Sequence, residues 1–189
     1  MRTFRHTTAL IPVWLLAAAL SAQDRNTSSS ARMPDGKQWT THNLDVDIAP
    51  SYCYEDADAN CREYGRLYTW DSAQRACQSL GQGWRLPAQE EWRQLAKHYG
   101  GVYNDSGDGK SAFKALLTGG NSGFNAVLSG GRSQQGEYAR LKAHGFYWTA
   151  SESNAALAWF INFGQGSRTL YLQSDGEKLR AFSVRCVRD

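Results

Sequence analysis

Apolar positions along this chain change their period, from helical spacing in the middle third to strand alternation toward the end. Leu44, Val46 and Ile48 alternate with polar neighbours, which predicts a half-buried strand shortly after Trp39. Ala73, Ala76, Cys77 and Leu80 then recur at helical spacing. Asp71 stands in position to cap this first helix, with Gln74 three residues on and Gly81 as the stop. The same phase turns Cys77 toward the core. A second helix is expected after Gly83-Trp84-Arg85-Leu86-Pro87. Pro87 suits a helix entry, and Glu90 and Glu91 complement the positive end of the helix dipole. Trp92, Leu95, Ala96 and Tyr99 make its inner face, and Gly100-Gly101 ends it. A short third helix is expected around Phe113, Leu116 and Leu117, closed by Gly119-Gly120.

Strand patterns follow. Phe124, Ala126 and Leu128 alternate, as do Phe146 and Trp148, and 157–163 is an apolar run of the length of a fully buried strand. Residues 169–173 and 181–187 complete the set, with Ser174-Asp175-Gly176 read as a turn. In the last strand Phe182, Val184 and Cys186 share one face. Helices early and antiparallel strands late predict an α+β domain.

The ends of the chain read differently. Arg2 and Arg5 precede an apolar run from Ala9 to Leu20 and then small residues, the layout of a secretory signal over residues 1–22. The run holds about a dozen residues, short of the roughly 20 that a membrane span needs. Residues 23–37 are polar and lack an apolar period, so they are expected to be a flexible lead-in, with the folded domain over 38–189. Loss of Arg2 and Arg5 with the signal lowers the formal charge from +3 to +1. A nearly neutral domain gives no electrostatic reason to expect a nucleic-acid partner, and no span remains to hold it in a membrane. The expected address is therefore exported: secreted, periplasmic or at the cell surface.

Four cysteines, Cys53, Cys61, Cys77 and Cys186, in a chain bound for an oxidising compartment imply two disulfides, and three pairings exist on paper. Cys53 and Cys61 bracket a short polar loop, which leaves Cys77 for Cys186, although cysteine count and export do not fix the pairing.

Several blocks fall in an order that resembles a known family. They are Cys53-Tyr54, Asn60-Cys61, Tyr64-Gly65-Arg66-Leu67-Tyr68-Thr69-Trp70, Gly83-Trp84-Arg85-Leu86-Pro87, Glu91-Trp92, Gly123-Phe124 and Ser183-Val184-Arg185-Cys186. They resemble the Fibrobacter succinogenes major paralogous domain, a family of exported bacterial proteins, from about Trp39 to Asp189. Ala88 departs from the pattern, where the family usually offers a hydroxyl able to cap the second helix. The family is in turn similar to C-type-lectin-like folds, in which a cysteine on the first helix pairs with one in the last strand. The resemblance thus joins Cys77 to Cys186 and implies cell-surface or secreted use in adhesion or glycan contact, with no established reaction.

Chemistry is sparse. His42, His98 and His144 are too scattered for a zinc motif. Asn104, Asp105 and Asp108, in a Gly-rich loop, offer hard oxygen ligands for calcium, and equally describe an ordinary turn. The triplets with which sugar-binding lectins of this fold hold calcium do not occur. No Gly-x-Ser-x-Gly elbow is present. Arg85-Leu86-Pro87 with Glu90-Glu91-Trp92 resembles a stretch of formylglycine-generating, sulfatase-modifying enzymes. Those need a pair of reactive copper-binding thiols, and disulfides would consume all four cysteines. Tyr103, Tyr138, Tyr147 and Trp159 are candidates for stacking on sugar rings. The expectation is a non-catalytic binding or adhesion module contacting a polysaccharide or surface protein through the irregular stretch 103–145. The alternatives are a thiol-oxidising enzyme and a passive structural subunit of a surface assembly.

Overall fold

A computed structural model describes residues 29–189; the expected signal segment lies outside the described residues. The chain forms a mixed α+β domain. Its centre is a five-stranded sheet in the order β6-β5-β7-β8-β9, built from β5 (Ser129–Arg132), β6 (Tyr138–Leu141), β7 (His144–Glu152), β8 (Leu157–Gly164) and β9 (Thr169–Glu177). All its pairings are antiparallel except a single parallel contact between β5 and β7. A three-stranded sheet joins β1 (Ser30–Arg32), β2 (Gln38–Thr40) and β10 (Val187–Arg188), so strands from the two ends of the described chain flank β2. β3 (Ser51–Tyr52) pairs with β4 (Leu67–Tyr68).

There are four α-helices among the described residues, α1 (Asp58–Tyr64), α2 (Trp70–Gln78), α3 (Gln89–Lys97) and α4 (Lys110–Leu116), of which α2, α3 and α4 cover the central sheet. On one face, Trp92 and Leu95 of α3 and Phe113 and Leu116 of α4 pack against Tyr147, Ile161, Phe163 and Leu170. Trp39 and Phe124 complete this core with edge-to-face contacts to Trp92 at 5.1 and 5.4 Å. On the other face, Trp70, Ala73 and Cys77 of α2 cover Trp148, Phe160 and Phe182. The helical phase read from the sequence is therefore the burial phase: Ala73, Ala76 and Cys77 on α2, and Trp92, Leu95 and Ala96 on α3, are all fully buried.

Departures from expectation have local causes. The presumed lead-in is part of the fold from Ser30: Ala31 pairs with Trp39 across β1–β2, and Met33 is buried in the first core. A three-residue strand is too short for its period to register. Residues 44–48 form no ladder, because Leu44 donates to the Val184 carbonyl and accepts from Arg66, two different segments, and the Ile48 N–H turns back onto the Val46 carbonyl. α1 was not foreseen; it is seven residues long and buries only Cys61 and Tyr64. α2 starts at Trp70, with Thr69 rather than Asp71 at the N-cap position, since Trp70 Nε1–H donates to the Thr149 carbonyl at 2.8 Å and fixes the entry. Asp71 lies in the first turn, where its charge suits the dipole. Residues 124–128 contribute one bridge, Ala126 to Leu117. β9 continues through Ser174-Asp175-Gly176, with a bulge between Gln173 and Gly176 instead of a turn. Gly176 is required there by packing: a Cβ would lie 2.6 Å from the Trp148 ring. The segment 181–187 is a run of isolated bridges, from Ala181 to Arg132, Phe182 to Tyr68 and Ser183 to Tyr147, ending in β10. It threads between elements instead of adding to one sheet.

Both disulfides form, Cys53–Cys61 and Cys77–Cys186. The second ties α2 to the C-terminal segment inside the second core.

Candidate functional site

The residues carrying the sequence blocks build the frame. Arg85 grips Glu91 through two parallel hydrogen bonds of 2.6 and 2.8 Å, and Glu91 also accepts the Ala88 N–H at 2.8 Å. Glu91 so supplies the acid half of a capping box that Ala88, lacking a hydroxyl, cannot reciprocate. Burial alone would raise the Glu91 pKa, but Arg85, the Ala88 N–H and Lys37 outweigh it and hold the carboxyl below its usual range. Lys37 and Arg85 also reach Asp189. Trp148 Nε1–H donates to the Tyr68 carbonyl, and the Tyr68 hydroxyl to the Val46 carbonyl.

Arg185 is the least expected of these residues. It is fully buried, stacks over Phe124 at 4.6 Å, and donates to Asn43 Oδ1 and to the carbonyls of Thr40, Phe124 and Asn125 at 2.6–2.9 Å. No carboxylate touches it among the described residues. Burial lowers its pKa to about 10, still well above neutrality. Neutral acceptors on two separate segments, 40–43 and 124–125, are thus gathered by one cation on a third.

The expected site residues scatter. Tyr147 is not a surface residue: it is fully buried, and its hydroxyl donates to the Val127 carbonyl and accepts the Val127 N–H, both at 2.8 Å. Its place on β7 gives it the core face of the sheet. Tyr138 is half-buried against Tyr54 and donates to Asp56 at 2.5 Å. Burial and then Asp56 push its hydroxyl up to about 12. Trp159 is half-buried on β8. Asp105 is engaged by Arg93 of α3 at 2.8 Å and Asp108 by the Lys110 N–H at 2.9 Å, while Asn104 takes a left-handed turn conformation at φ +56°. Among the described residues, no three His, Cys, Asp or Glu side chains converge as a metal site. His42 bonds Ser29, far from His144 on β7.

Tyr103 alone among the aromatic candidates is well exposed, at 46%. It meets Tyr171 of β9 edge-on at 5.3 Å, and Tyr171 opens onto an arrangement that sequence reading missed. Residues paired across neighbouring strands share a face. The register puts Phe146, Asn162 and Tyr171 in one row, with His144 opposite Gly164 and Gln173 opposite Phe160. Trp148 and Phe160 lie under α2, and beyond them His144 and Tyr171 stand half-exposed at the open end of this face, with Gln173 half-exposed at its border.

Across that open end runs a polar chain. Asn162 Nδ2–H donates to Gln173 Oε1 at 2.7 Å, and Asn162 Oδ1 lies 2.9 Å from His144 Nδ1. Asn162 Oδ1 can only accept, so the network assigns the proton to His144 Nδ1. The free ends are then the His144 Nε2 acceptor and the Gln173 Nε2 donors, at opposite ends of a diagonal across three strands. The His144 ring stacks on Phe146 at 5.3 Å with the planes 11° apart. Planar polar groups, oriented by one another and bordered by Phe146, Tyr171 and Tyr103, offer directed hydrogen bonds beside apolar ring faces. The sequence signal was available in the alternation His144-x-Phe146 and Tyr171-x-Gln173, but pairing these required the register.

Among the described residues no helix is long and apolar enough to cross a membrane. No curated protein matches the chain. A family model described as the Fibrobacter succinogenes major domain matches residues 24–188, and the chain belongs to that family.

Proposed function

We propose that this Fibrobacter succinogenes major domain protein is an exported, non-catalytic module that binds glycan chains on the open end of its central sheet. The observation that carries the reading is the His144–Asn162–Gln173 chain bordered by Phe146, Tyr171 and Tyr103. A sugar presents neighbouring hydroxyls, each donor and acceptor, and an apolar C–H face. The first suits the opposed free ends of the chain; the second suits aromatic rings. Two disulfides fit an oxidising compartment, in keeping with export. A C-type-lectin-like scaffold accounts for the joining of an early helix to the C-terminal segment by Cys77–Cys186 and for the pairing of β2 with β10. The rival thiol-oxidising reading would need free thiols, and all four cysteines are paired.

The test is a glycan array followed by calorimetry with wild type, Tyr171→Ala and Gln173→Ala, each first checked for native circular dichroism. Saturable binding that weakens at least about tenfold in both variants is expected, the loss of a stacking contact and a directed hydrogen bond. Binding indifferent to both substitutions, or no glycan bound at all, would overturn the proposal. A thiol titration of unreduced, denatured protein separates the rival: it should count none.

A further inference from the structure

We infer that the groove between α4 and the β8–β9 turn binds the acidic groups of a polysaccharide, which makes the ligand of the open sheet face an anionic glycan. The inference rests on the glycan reading above. Two adjoining hollows of about 390 and 250 Å³ share Phe113, Lys114 and Arg168. Lys110 and Ser167 line the larger; Thr118 and Gln165 line the smaller. No carboxylate lines either one. The nearest acid along the chain, Asp108, turns back onto the Lys110 backbone N–H at the edge of α4.

Elsewhere, Lys37, Arg66, Arg85, Arg93, Lys178 and Arg180 form ion pairs, and Arg32, Arg75, Arg185 and Arg188 donate to neutral oxygens. Lys110, Lys114 and Arg168 form no ion pair among the described residues. Lys110 and Lys114 are one turn apart on the same side of α4, a like-charge spacing that costs helix stability. Arg168 holds φ at +53°, a conformation that side chains of its kind rarely adopt. The adjacent β6–β7 turn, bonded through Ala143 to the Gln165 N–H, adds Arg140 and Lys142, both exposed. Concentrating unpaired cations over a hollow stabilises an anion there and steers it in, and the Arg168 fork suits a carboxylate or sulfate.

Groove and sheet face meet at Gly164. A Cβ placed on it would lie 3.0 Å from Ser167 Oγ and 3.4 Å from the Tyr171 ring, so the bare glycine leaves the passage between them clear. A chain laid across this point sets sugar rings against Tyr171 and its charged groups against Lys114 and Arg168.

The experiment compares polygalacturonate with its methyl ester, and dextran sulfate with dextran, by calorimetry at 20 and 300 mM NaCl. The proteins are wild type, Lys114→Ala/Arg168→Ala and Tyr171→Ala. At least one acidic polymer should bind wild type at least about tenfold more tightly than its neutral counterpart. Salt and the double substitution should each remove that preference, since exposed charges are screened within a Debye length. Equal binding of acidic and neutral forms, with loss in Tyr171→Ala, refutes the anion groove and leaves the glycan face standing. Acidic binding lost in the double variant but untouched in Tyr171→Ala keeps the groove and refutes the face. No binding by any polymer overturns both.

Discussion

Arg185 offers the sharpest test of what holds the C-terminal segment in place. Substitution by Met keeps the volume and the apolar stem but removes every donor. The carbonyls of Thr40, Phe124 and Asn125 and the Asn43 side chain then lose the donor they share. A buried acceptor left unpaired costs about 1–3 kcal/mol, so the gross loss is about 4–12 kcal/mol. Against this stands the desolvation of the guanidinium itself, several kcal/mol that the variant no longer bears. The net expectation is a loss of about 3–5 kcal/mol, the range seen when a buried charged network is broken on one side. Arg185→Lys should lose nearly as much, because one ammonium cannot reach four acceptors spread over two segments. Urea unfolding followed by tryptophan fluorescence measures it, as a lower midpoint at unchanged slope. A double-mutant cycle with Asn43→Ala should show a coupling above about 1 kcal/mol. If Arg185→Met is as stable as wild type, the network is replaceable by packing and the reasoning fails.

Removing Cys77–Cys186 by paired alanine substitution should cost about 4–5 kcal/mol and removing Cys53–Cys61 about 2.5, because the longer loop carries more closure entropy; thermal unfolding would show the reverse order if that account is wrong. Glu91→Gln should destabilise the protein by about 1–2 kcal/mol at pH 7, through lost charge-assisted bonds to Arg85 and the Ala88 N–H. The folded-state pKa of Glu91 lies below its ordinary value of 4.5, so this stability is present above that pH and lost as pH falls through the depressed value. The gap between wild type and variant in denaturant midpoint should therefore narrow below about pH 4.5, and a gap constant down to pH 2 would contradict it. Gly65→Ala should cost at least about 2 kcal/mol, since Gly65 has φ +76° and a Cβ there would lie 2.6 Å from the Asn43 Cβ. The measurement is again the urea midpoint, and a neutral effect would show that Asn43 can move without loosening Arg185.

The sequence by itself determined the α+β class, the inward stripes of α2 and α3, and the family. These follow from local periods: a helix or strand long enough to repeat its pattern reveals which side is buried, as Cys77 and Trp92 did. It also determined which cysteines were available to pair, because spacing and phase are properties of single elements. Short elements stayed hidden. β1 and α1 hold too few turns of any period, and residues 124–128 and 181–187 alternate like strands while bonding to several partners in turn. The site was hidden for another reason. Tyr147 and Phe146 are adjacent on β7 and equally aromatic, yet one is core and the other borders the open face; only the strand register and the cover of α2 and α3 separate them. His144, Asn162 and Gln173 lie far apart in sequence and meet by cross-strand pairing, and Arg168 reaches Lys114 only because α4 packs on β9. Local preference set the elements; long-range pairing decided which side chains share a surface.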